Sequence, residues 1–289
     1  MHKDYDRDKE KNKKRKEFKL KSVEKKENTS NKNRLKQNLR EYINRGFSED
    51  YEDDDFEWEY KMKSVTLSKN TLSIFKNFST LNSNLLVSPG NVIKTITPSK
   101  TGMAVATVEE NFDVEFGIWD LNKFLGVVSL FSSPNFEFGE KSMKIRNGGS
   151  SVVTYYYSEP KLLSVPTKDV VMPKVNVSAK MTEKQFSELL KAASVMQLPD
   201  LSFTSEDNTF IAKVLDLSDP TSNSYKVVID DNYESDVDFQ FNFKIENIKI
   251  LPGDYVINFA KNIVAEFVNQ NIKLKYWFAM EANTSKYGS

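Results

Sequence analysis

The sequence of 289 residues contains no cysteine, and its one histidine is His2. The absence of cysteine excludes disulfide bonds, thiolate nucleophiles and cysteine-ligated metal sites. Without histidine elsewhere, general acid–base chemistry would depend on carboxylates and lysines alone. Apolar runs are also short, because none approaches the roughly 18 residues of a membrane-spanning helix and no signal-peptide core follows the amino terminus. These absences favour a non-catalytic protein of a reducing, aqueous compartment.

The short motifs that carry chemistry are missing as well. The sequence has no glycine-rich phosphate loop, no paired-histidine spacing and no nucleophile elbow. The acidic run "DDNYESDVD", residues 230–238, lacks the central glycine and the spacing of a calcium loop, and we interpret it as a solvated loop. The sequence therefore predicts neither an enzyme nor a metal site, and no cofactor is expected.

The formal net charge is zero, but the charges are segregated along the chain. Residues 1–46 hold 17 Lys or Arg against 8 Asp or Glu, a net of +9. Residues 47–61, "FSEDYEDDDFEWEYK", hold 8 acids against one Lys, a net of −7. Residues 1–61 are therefore predicted to be a disordered charged leader. A solvated tail, a basic arm for nucleic acid or a partner, and an upstream reading frame joined at Met62 are the interpretations left open.

A helix is predicted at residues 67–82, "LSKNTLSIFKNFSTLN". At about 100° per residue, its apolar side chains fall on one side: Ile74, Phe75, Phe78 and Leu81. Lys69 and Lys76, seven positions apart, lie on the opposite side. Because no acid, base or metal ligand accompanies them, the two lysines suggest binding of an anion rather than catalysis.

A second helix is predicted at residues 182–198, "TEKQFSELLKAASVMQL". Thr182 and Gln185 have the spacing of a capping box at its start. The apolar arc of this helix consists of five residues: Phe186, Leu189, Leu190, Ala193 and Met196. Lys184 and Lys191 lie opposite that arc, again seven positions apart.

The rest of the chain after Met62 consists of alternating or apolar runs separated by Gly, Pro and Asn turns, which favour antiparallel strands and hairpins. The runs in the first half are "NLLVS", "NVIKTIT", "GMAVATVE", "FDVEFGIWDL" and "SMKIRNGGSSVVTYYY", with "RNGGS" as a turn. Those in the second half are "LSFTS", "TFIAKVLDL", "SYKVVID", "DFQFNFKI", "GDYVINFA", "VAEFVNQN" and "IKLKYWFAM". The predicted fold class is α+β.

The two helices belong to a longer internal repeat. A shift of 115 residues superimposes Lys69 on Lys184 and Lys76 on Lys191, and a shift of 125 matches "LNKFL" to "ENIKI". Two copies of one unit of roughly 110 residues explain this pattern. We expect domain one at residues 62–160, a proline-spaced connector at 161–174 and domain two at 175–289.

Four segments carry a resemblance to a known family. "LSKNTLSIFKNFSTLNS", "DVEFGIWDLNKFLGVVSLF", "LPGDY" and "AMEANTS", in this order, resemble the sliding clamp of T-even-type bacteriophages, a DNA polymerase processivity factor. The resemblance covers about residues 62–285, and "WDLNKFLG" is its most specific part. It implies two repeated clamp domains per subunit in a homotrimeric ring, with helices lining the hole and antiparallel sheets outside.

What the resemblance implies for function agrees with the composition. Sliding along duplex DNA requires weak, sequence-independent attraction to phosphates and no base-reading contacts. The ring would tether the replicative DNA polymerase, would be loaded by a partner ATPase, and would dock further replication or late-transcription factors. We expect it in the cytoplasm of an infected bacterium, with no membrane contact.

The resemblance also assigns residues. Lys69 and Lys76 match lysines of the family's first helix, and Lys191 matches a basic position of its third. Lys123 replaces a small residue, and Ser194 stands where the family tends to be basic. The expected DNA-facing residues are Lys69, Lys76, Lys184, Lys191, Lys123 and Lys249. The expected pocket for a polymerase C-terminal peptide is lined by Leu163, Val165 and Met280.

A different class of protein is the alternative. A single-stranded nucleic-acid-binding or transcription accessory module could act through the basic leader and exposed aromatic residues. Tyr155, Tyr156 and Tyr157 are consecutive, however, so they must divide between the two faces of a strand. A monomer in solution would favour this alternative, and a trimer would favour the ring.

Overall fold

Antiparallel strand pairs make up most of the fold, as the alternating runs predict. The computed structural model describes residues 64–233, 237–261 and 263–288. The three α-helices of that part are α1 (Lys69–Leu81), α2 (Leu121–Val128) and α3 (Glu183–Met196), and 3₁₀ turns occur at Pro160–Leu162 and Ile245–Asn247. The strands of the first half are β1 (Ser64–Thr66), β2 (Leu85–Val87), β3 (Gly90–Ile96), β4 (Gly102–Phe112), β5 (Phe116–Ile118), β6 (Asn135–Phe138), β7 (Ser142–Arg146) and β8 (Val152–Tyr156). Those of the second half are β9 (Val177–Met181), β10 (Asp200–Glu206), β11 (Thr209–Leu215), β12 (Tyr225–Asp230), β13 (Phe239–Lys244), β14 (Tyr255–Ala260), β15 (Val264–Asn269), β16 (Leu274–Ala279) and β17 (Lys286–Tyr287).

The order of elements repeats four times. A strand, a helical segment and three strands form one block, and the first half contains two blocks, β1-α1-β2-β3-β4 and β5-α2-β6-β7-β8. The second half contains β9-α3-β10-β11-β12 and β13-turn-β14-β15-β16, with the 3₁₀ turn Ile245–Asn247 in place of a helix. The predicted repeat of two similar domains is therefore confirmed, and each domain is itself made of two similar blocks.

The strands form three large sheets and one strand pair. Their orders are β1-β6-β7-β8, β12-β11-β10-β13-β17, β3-β4-β16-β15-β14-β9 and β2-β5. The six-stranded sheet contains strands of both halves, because β4 pairs antiparallel with β16, with Ala104 opposite Tyr276. In contrast, β8 and β12 each lie at the edge of a sheet and have one strand neighbour.

Aromatic side chains fill the interior between helices and sheets. In the first half, Phe75 of α1 lies 6.5 Å from Phe124 of α2, measured between ring centroids. In the second half, Phe241 and Phe259 stack at 4.9 Å. All four are at most 1% exposed. Helices α1 and α2 and strands β13 and β14 thus bury apolar side chains, which contributes about 25 cal/mol per Å² of apolar surface.

Three sequence-based expectations require correction. The run "FDVEFGIWDL" was expected to be a strand, but β5 ends at Ile118 and Asp120 caps helix α2, with its side chain accepting a hydrogen bond from the Lys123 N–H at 2.9 Å. A short apolar run cannot be told from a buried helix by periodicity alone. The short strands β1, β6, β9 and β17 were also not predicted.

Leu190 was expected in the buried arc of α3, yet it is 36% exposed. Its equivalent in the repeat, Phe75, is fully buried and packs against Phe124 of α2. The corresponding segment of the second half is only the three-residue turn Ile245–Asn247, so no helix covers Leu190 in the part of the chain that the structure describes. The charged leader, residues 1–61, lies outside the described residues.

Candidate nucleic-acid interface and partner surface

Helix α1 presents lysines because its other face is anchored in the core. The Ser68 side chain accepts a hydrogen bond from the Thr71 N–H at 3.2 Å and caps the helix. Glu110 of β4 accepts hydrogen bonds from the Ser68 N–H and the Thr71 hydroxyl, which holds the first turn against the sheet. The predicted apolar residues are buried: Ile74, Phe75, Phe78 and Leu81. Lys69 and Lys76 are exposed on the opposite face, as predicted.

Helix α3 repeats this arrangement. The Thr182 hydroxyl accepts a hydrogen bond from the Gln185 N–H at 3.3 Å, and the Gln185 side chain accepts one from the Thr182 N–H at 2.9 Å. The predicted capping box is therefore confirmed. Lys184 and Lys191 are exposed. None of the four helix lysines forms an ion pair within the described residues, so their charges are free to attract an anion.

The two remaining lysines of the predicted DNA-facing set have other contacts. The Lys123 ammonium lies 3.3 Å from Asp120, with the lysine side chain 85% exposed. The Lys123 N–H holds the pKa of the Asp120 carboxyl below its usual value, so this carboxylate is negative at neutral pH and offsets the lysine. The Lys249 ammonium donates to the carbonyl of Thr80 at 3.1 Å. Lys249 is thereby brought against the last turn of the helix that carries Lys76.

A polar cluster that the sequence analysis missed joins the two halves beside these lysines. We call it the seam cluster: Asn77, Thr80, Lys249, Leu251 and Tyr276. The Tyr276 hydroxyl donates to Asn77 Oδ1 at 2.7 Å and accepts from the Leu251 N–H at 3.1 Å, while Asn77 Nδ2 donates to the Lys249 carbonyl at 3.1 Å. Burial raises the pKa of Tyr276 well above its ordinary value, so the hydroxyl keeps its proton. No local pattern reveals this cluster, because its members lie in α1, β16 and the segment between β13 and β14.

A small cleft lies next to the seam cluster. It has a volume of about 150 Å³ and is lined by Thr80, Leu81, Thr97, Pro98, Ser99, Glu246, Asn247 and Lys249. Pockets that hold drug-sized ligands are commonly ~300 Å³ or larger. The cleft is therefore too small for a peptide, and none of the residues predicted for a partner pocket lines it.

The residues predicted for the partner pocket lie in two places. Leu163 is buried against Gly117, where an added Cβ would meet Leu163 Cδ1 at 2.8 Å and the Ser158 carbonyl at 2.4 Å, so this close approach requires glycine. Val165 is partly buried two residues later in the connector. Met280 is buried after β16, and its N–H donates to the carbonyl of the 60% exposed Ile263 at 3.1 Å. One pocket lined by all three stays a prediction.

The described residues offer neither a metal site nor a membrane-spanning helix. No group of three or more His, Asp or Glu side chains that could hold a metal ion occurs in the described ranges. No helix of the described part is long and apolar enough to cross a bilayer. The chemistry that the helices offer is thus a set of exposed ammonium groups on a rigid framework.

The chain is similar to known proteins over about three quarters of its length. The profile of the family described as DNA polymerase processivity factor matches residues 68–172. The sliding clamp of Escherichia phage RB69 is 28% identical over 229 residues, which cover 76% of this chain and 99% of that protein. The sliding clamp of Enterobacteria phage T4 is 26% identical over 231 residues, with 76% and 99% covered. These matches support a sliding clamp of the T-even phage type.

Solved structures show the same fold at low sequence identity. PCNA from A. fulgidus superposes with a TM-score of 0.58 at 16% identity, covering 75% of this clamp and 98% of that chain. The beta clamp of Helicobacter pylori gives a TM-score of 0.57 at 12% identity, covering 75% of this clamp and 65% of that chain. The predicted fold class, repeated clamp domains with antiparallel sheets, is therefore confirmed. The matching family is described as a processivity factor, which is a non-enzymatic role.

Proposed function

We propose that this clamp encircles duplex DNA as a homotrimeric ring and tethers the replicative DNA polymerase for processive synthesis. Within each chain, we propose that domain one spans residues 62–160 and domain two spans 175–289, joined by the connector at 161–174. Three copies would then supply six similar domains. Each domain consists of two of the four similar blocks found in one chain.

The observation that supports a ring is the pairing of β4 with β16 inside one chain. Both are last strands of their blocks, β4 in the first block of its half and β16 in the second. The equivalent strands of the other two blocks, β12 and β8, are the ones left at sheet edges. Pairing β12 of one copy with β8 of another would therefore repeat the contact that already joins the two halves. Because β8 and β12 are different surfaces, this association is head-to-tail, and such an association forms a ring when its rotation closes, here after three copies in our proposal.

The side chains of these edges support the same conclusion. Tyr156 and Val152 of β8 are 73% and 46% exposed, and Val228 and Tyr225 of β12 are 46% and 38% exposed. Exposed apolar edge strands promote aggregation unless another chain covers them. A second copy at each edge would bury these apolar side chains and form hydrogen bonds with the unpaired backbone groups.

The helix lysines support DNA as the ligand of the hole. Lys69, Lys76, Lys184 and Lys191 offer exposed point charges. The side-chain amides of Asn70, Asn77 and Gln185 on the same helices donate hydrogen bonds within the chain, so they are not arranged to read bases. Repeated around a ring, they would attract phosphates at every rotational position, with Lys123 and Lys249 as weaker contributors. Binding would thus be independent of DNA sequence and sensitive to salt.

Partner proteins are proposed from the family and fold. The solved H. pylori clamp holds a DNA ligase peptide and the A. fulgidus PCNA holds the C-terminal region of FEN-1. By analogy, a C-terminal peptide of the polymerase would bind this clamp near the connector, at Leu163, Val165 and Met280. A partner ATPase would load the ring, and other replication or late-transcription factors would use the same surface, all in the cytoplasm of the infected bacterium.

Mass in solution tests the ring. We expect three times the 33.3 kDa of one chain by light scattering. Tyr156→Lys or Val228→Lys should yield monomers, because each would bury an unpaired charge at the β8–β12 contact. Val92→Lys on the edge strand β3 is the matched control and should remain trimeric. A monomeric wild type would contradict the ring and favour the single-stranded nucleic-acid-binding alternative, which rests on the leader.

A further inference from the structure

Helix α3 exposes apolar side chains that its protomer does not cover. Val195, in the last turn, is 75% exposed, and Leu190, five residues earlier, is 36% exposed. On the other domain, Leu130 is 72% exposed just after the end of α2. A single exposed apolar side chain is normal on a protein surface. Here, however, α2 and α3 occupy the same place in their blocks, and each exposes a large apolar side chain near its carboxyl end. We therefore look for one explanation of both.

The contact inside one chain shows what should cover α3. In the first half, Asn77 and Thr80 of α1 are contacted by Lys249, which lies in the segment between β13 and β14. The shift of 115 residues places Ala192 and Val195 of α3 at these two positions. The seam cluster is therefore replaced on α3 by apolar residues, so the segment that covers α3 should be apolar as well.

The segment equivalent to the one that carries Lys249 runs between β5 and β6 and contains α2. Gly126 lies inside this helix, and a Cβ added there meets no atom within 4 Å. Glycine is less favourable than alanine in a helix interior, and nothing within the protomer requires it. Leu130 lies four residues later, in the turn that follows the end of α2 at Val128, and its side chain is exposed.

We propose that Val195 of one protomer packs onto Gly126 and Leu130 of the next protomer in the ring. The missing Cβ at Gly126 lets the neighbouring helix approach closely, and Leu130 closes the apolar contact around Val195. This inference rests on the proposed head-to-tail ring and adds the side chains that join its helices. The seam within a chain is thus polar, and the seam between chains is apolar at equivalent positions.

An engineered disulfide tests the contact directly, because the chain has no cysteine of its own. In the variant Gly126→Cys/Val195→Cys, oxidation should produce covalent dimers and trimers on a non-reducing gel, since a disulfide needs Cβ atoms about 4 Å apart. Each single variant should remain monomeric on the same gel. Gly126→Cys/Val92→Cys, with an exposed valine of β3, is the matched control and should not crosslink. Ser129→Cys/Val195→Cys serves if Gly126→Cys impairs folding.

Three results would overturn the contact. Oxidised Gly126→Cys/Val195→Cys and Ser129→Cys/Val195→Cys could both stay monomeric although the wild type is trimeric, which refutes the contact and leaves the ring intact. A faster-migrating monomer would place the two residues of one chain together instead. A monomeric wild type would refute the ring and the contact with it.

Gly126→Ala gives an independent test, because it should stabilise the dissociated protomer and weaken the trimer. Alanine should raise the melting temperature of the dissociated protomer, because it favours the helix and meets no atom. It should also weaken the trimer by roughly tenfold or more in dissociation constant, because an extra methyl overpacks the contact. If Gly126→Ala stabilised the protomer and left the trimer unchanged, close approach at Gly126 would be wrong.

Discussion

Tyr276 is the residue on which the seam within the chain depends most. Its hydroxyl is the only group of β16 that reaches across to α1 in the described hydrogen bonds, and it also satisfies the Leu251 N–H. Tyr276→Phe keeps the aromatic side chain but removes both hydrogen bonds of the hydroxyl. We expect a loss of about 1–3 kcal/mol in the free energy of unfolding, because buried polar atoms lose their partner. Urea denaturation measures it.

The control for this prediction is Tyr156→Phe. In the single protomer the Tyr156 side chain is 73% exposed, so its hydroxyl is solvated when unfolding of both variants is measured on dissociated protomers. Its removal should change the free energy of unfolding by less than about 0.5 kcal/mol. Equal effects of the two substitutions would show that the seam cluster contributes little to stability.

The helix lysines should act together. Replacing Lys69, Lys76, Lys184 and Lys191 by Ala should leave folding nearly unchanged, because exposed substitutions usually cost under about 0.5 kcal/mol each. DNA retention should weaken, and its dependence on log salt should flatten by about 0.9 for each phosphate contact removed. Retention on DNA measured over a salt series gives the slope.

A second quadruple variant separates position from net charge. Its four lysines are exposed and lie on strands or in the connector: Lys144, Lys168, Lys180 and Lys286. Their replacement by Ala lowers the net charge equally but should keep the wild-type salt slope. A flattened slope in both variants, or in neither, would mean that the helix faces have no special role in DNA binding.

At the scale of elements, α3 depends on its first turn. Thr182→Ala removes the hydroxyl that accepts from the Gln185 N–H, while Thr182→Ser keeps it. We expect a loss of about 1 kcal/mol in the free energy of unfolding for alanine and little change for serine. Since α3 carries Lys184 and Lys191, the alanine variant should also weaken DNA retention. Equal stability of the two variants would show that packing alone fixes the helix.

The start of α2 should be sensitive to acid. The pKa of Asp120 is lowered below 3.8 by the hydrogen bond from the Lys123 N–H. A lowered pKa in the folded state means that this carboxylate stabilises the fold above its ordinary pKa and loses that effect as the pH falls through its folded value. Asp120→Asn keeps a capping oxygen and should lose this part of the pH dependence. Thermal unfolding of both proteins, from neutral to about pH 2, tests the difference; parallel curves would contradict it.

The contrast between α2 and its equivalent turn has a local cause. Helix α2 begins with Asp120 as a side-chain cap, whereas Lys244 precedes the turn Ile245–Asn247 and makes no side-chain capping bond. Pro252 and Gly253 follow within a few residues, and neither favours a helix interior. Because the turn Ile245–Asn247 is short, no helix of its block covers Leu190. The residues after this turn bring Lys249 against α1.

At the scale of the whole molecule, enclosure of DNA predicts how the clamp leaves the DNA. Once loaded, a ring should leave linear DNA by sliding off the ends, because the lysine contacts are too weak and unspecific to hold it at one place. We expect retention on linear DNA with blocked ends and rapid loss when the ends are free. Polymerase stimulation should likewise require loading. Equal retention on both DNAs would rule out topological enclosure.

Much of the fold followed from local patterns. Both lysine-bearing helices, the capping box at Thr182 and most of the long strands were predicted, because amphipathic periodicity and turn residues act within a few positions. Helix α2 was missed, since its first residue, Leu121, ends the run "FDVEFGIWDL", which was interpreted as one strand. The four helix lysines were correctly placed on exposed faces. Their contact with DNA stays a prediction, as does the partner pocket at Leu163, Val165 and Met280.

The sequence by itself determined the helix faces, the repeat and the absence of histidine and cysteine chemistry in the clamp domains, because each is a property of neighbouring or regularly spaced residues. Only the tertiary structure decided that β4 pairs with β16, that β8 and β12 stay at edges, and that Lys249 is tied to α1. These features depend on contacts between residues more than a hundred positions apart. A local pattern shows which face of a helix or strand is buried, but it does not show which distant strand or segment covers that face.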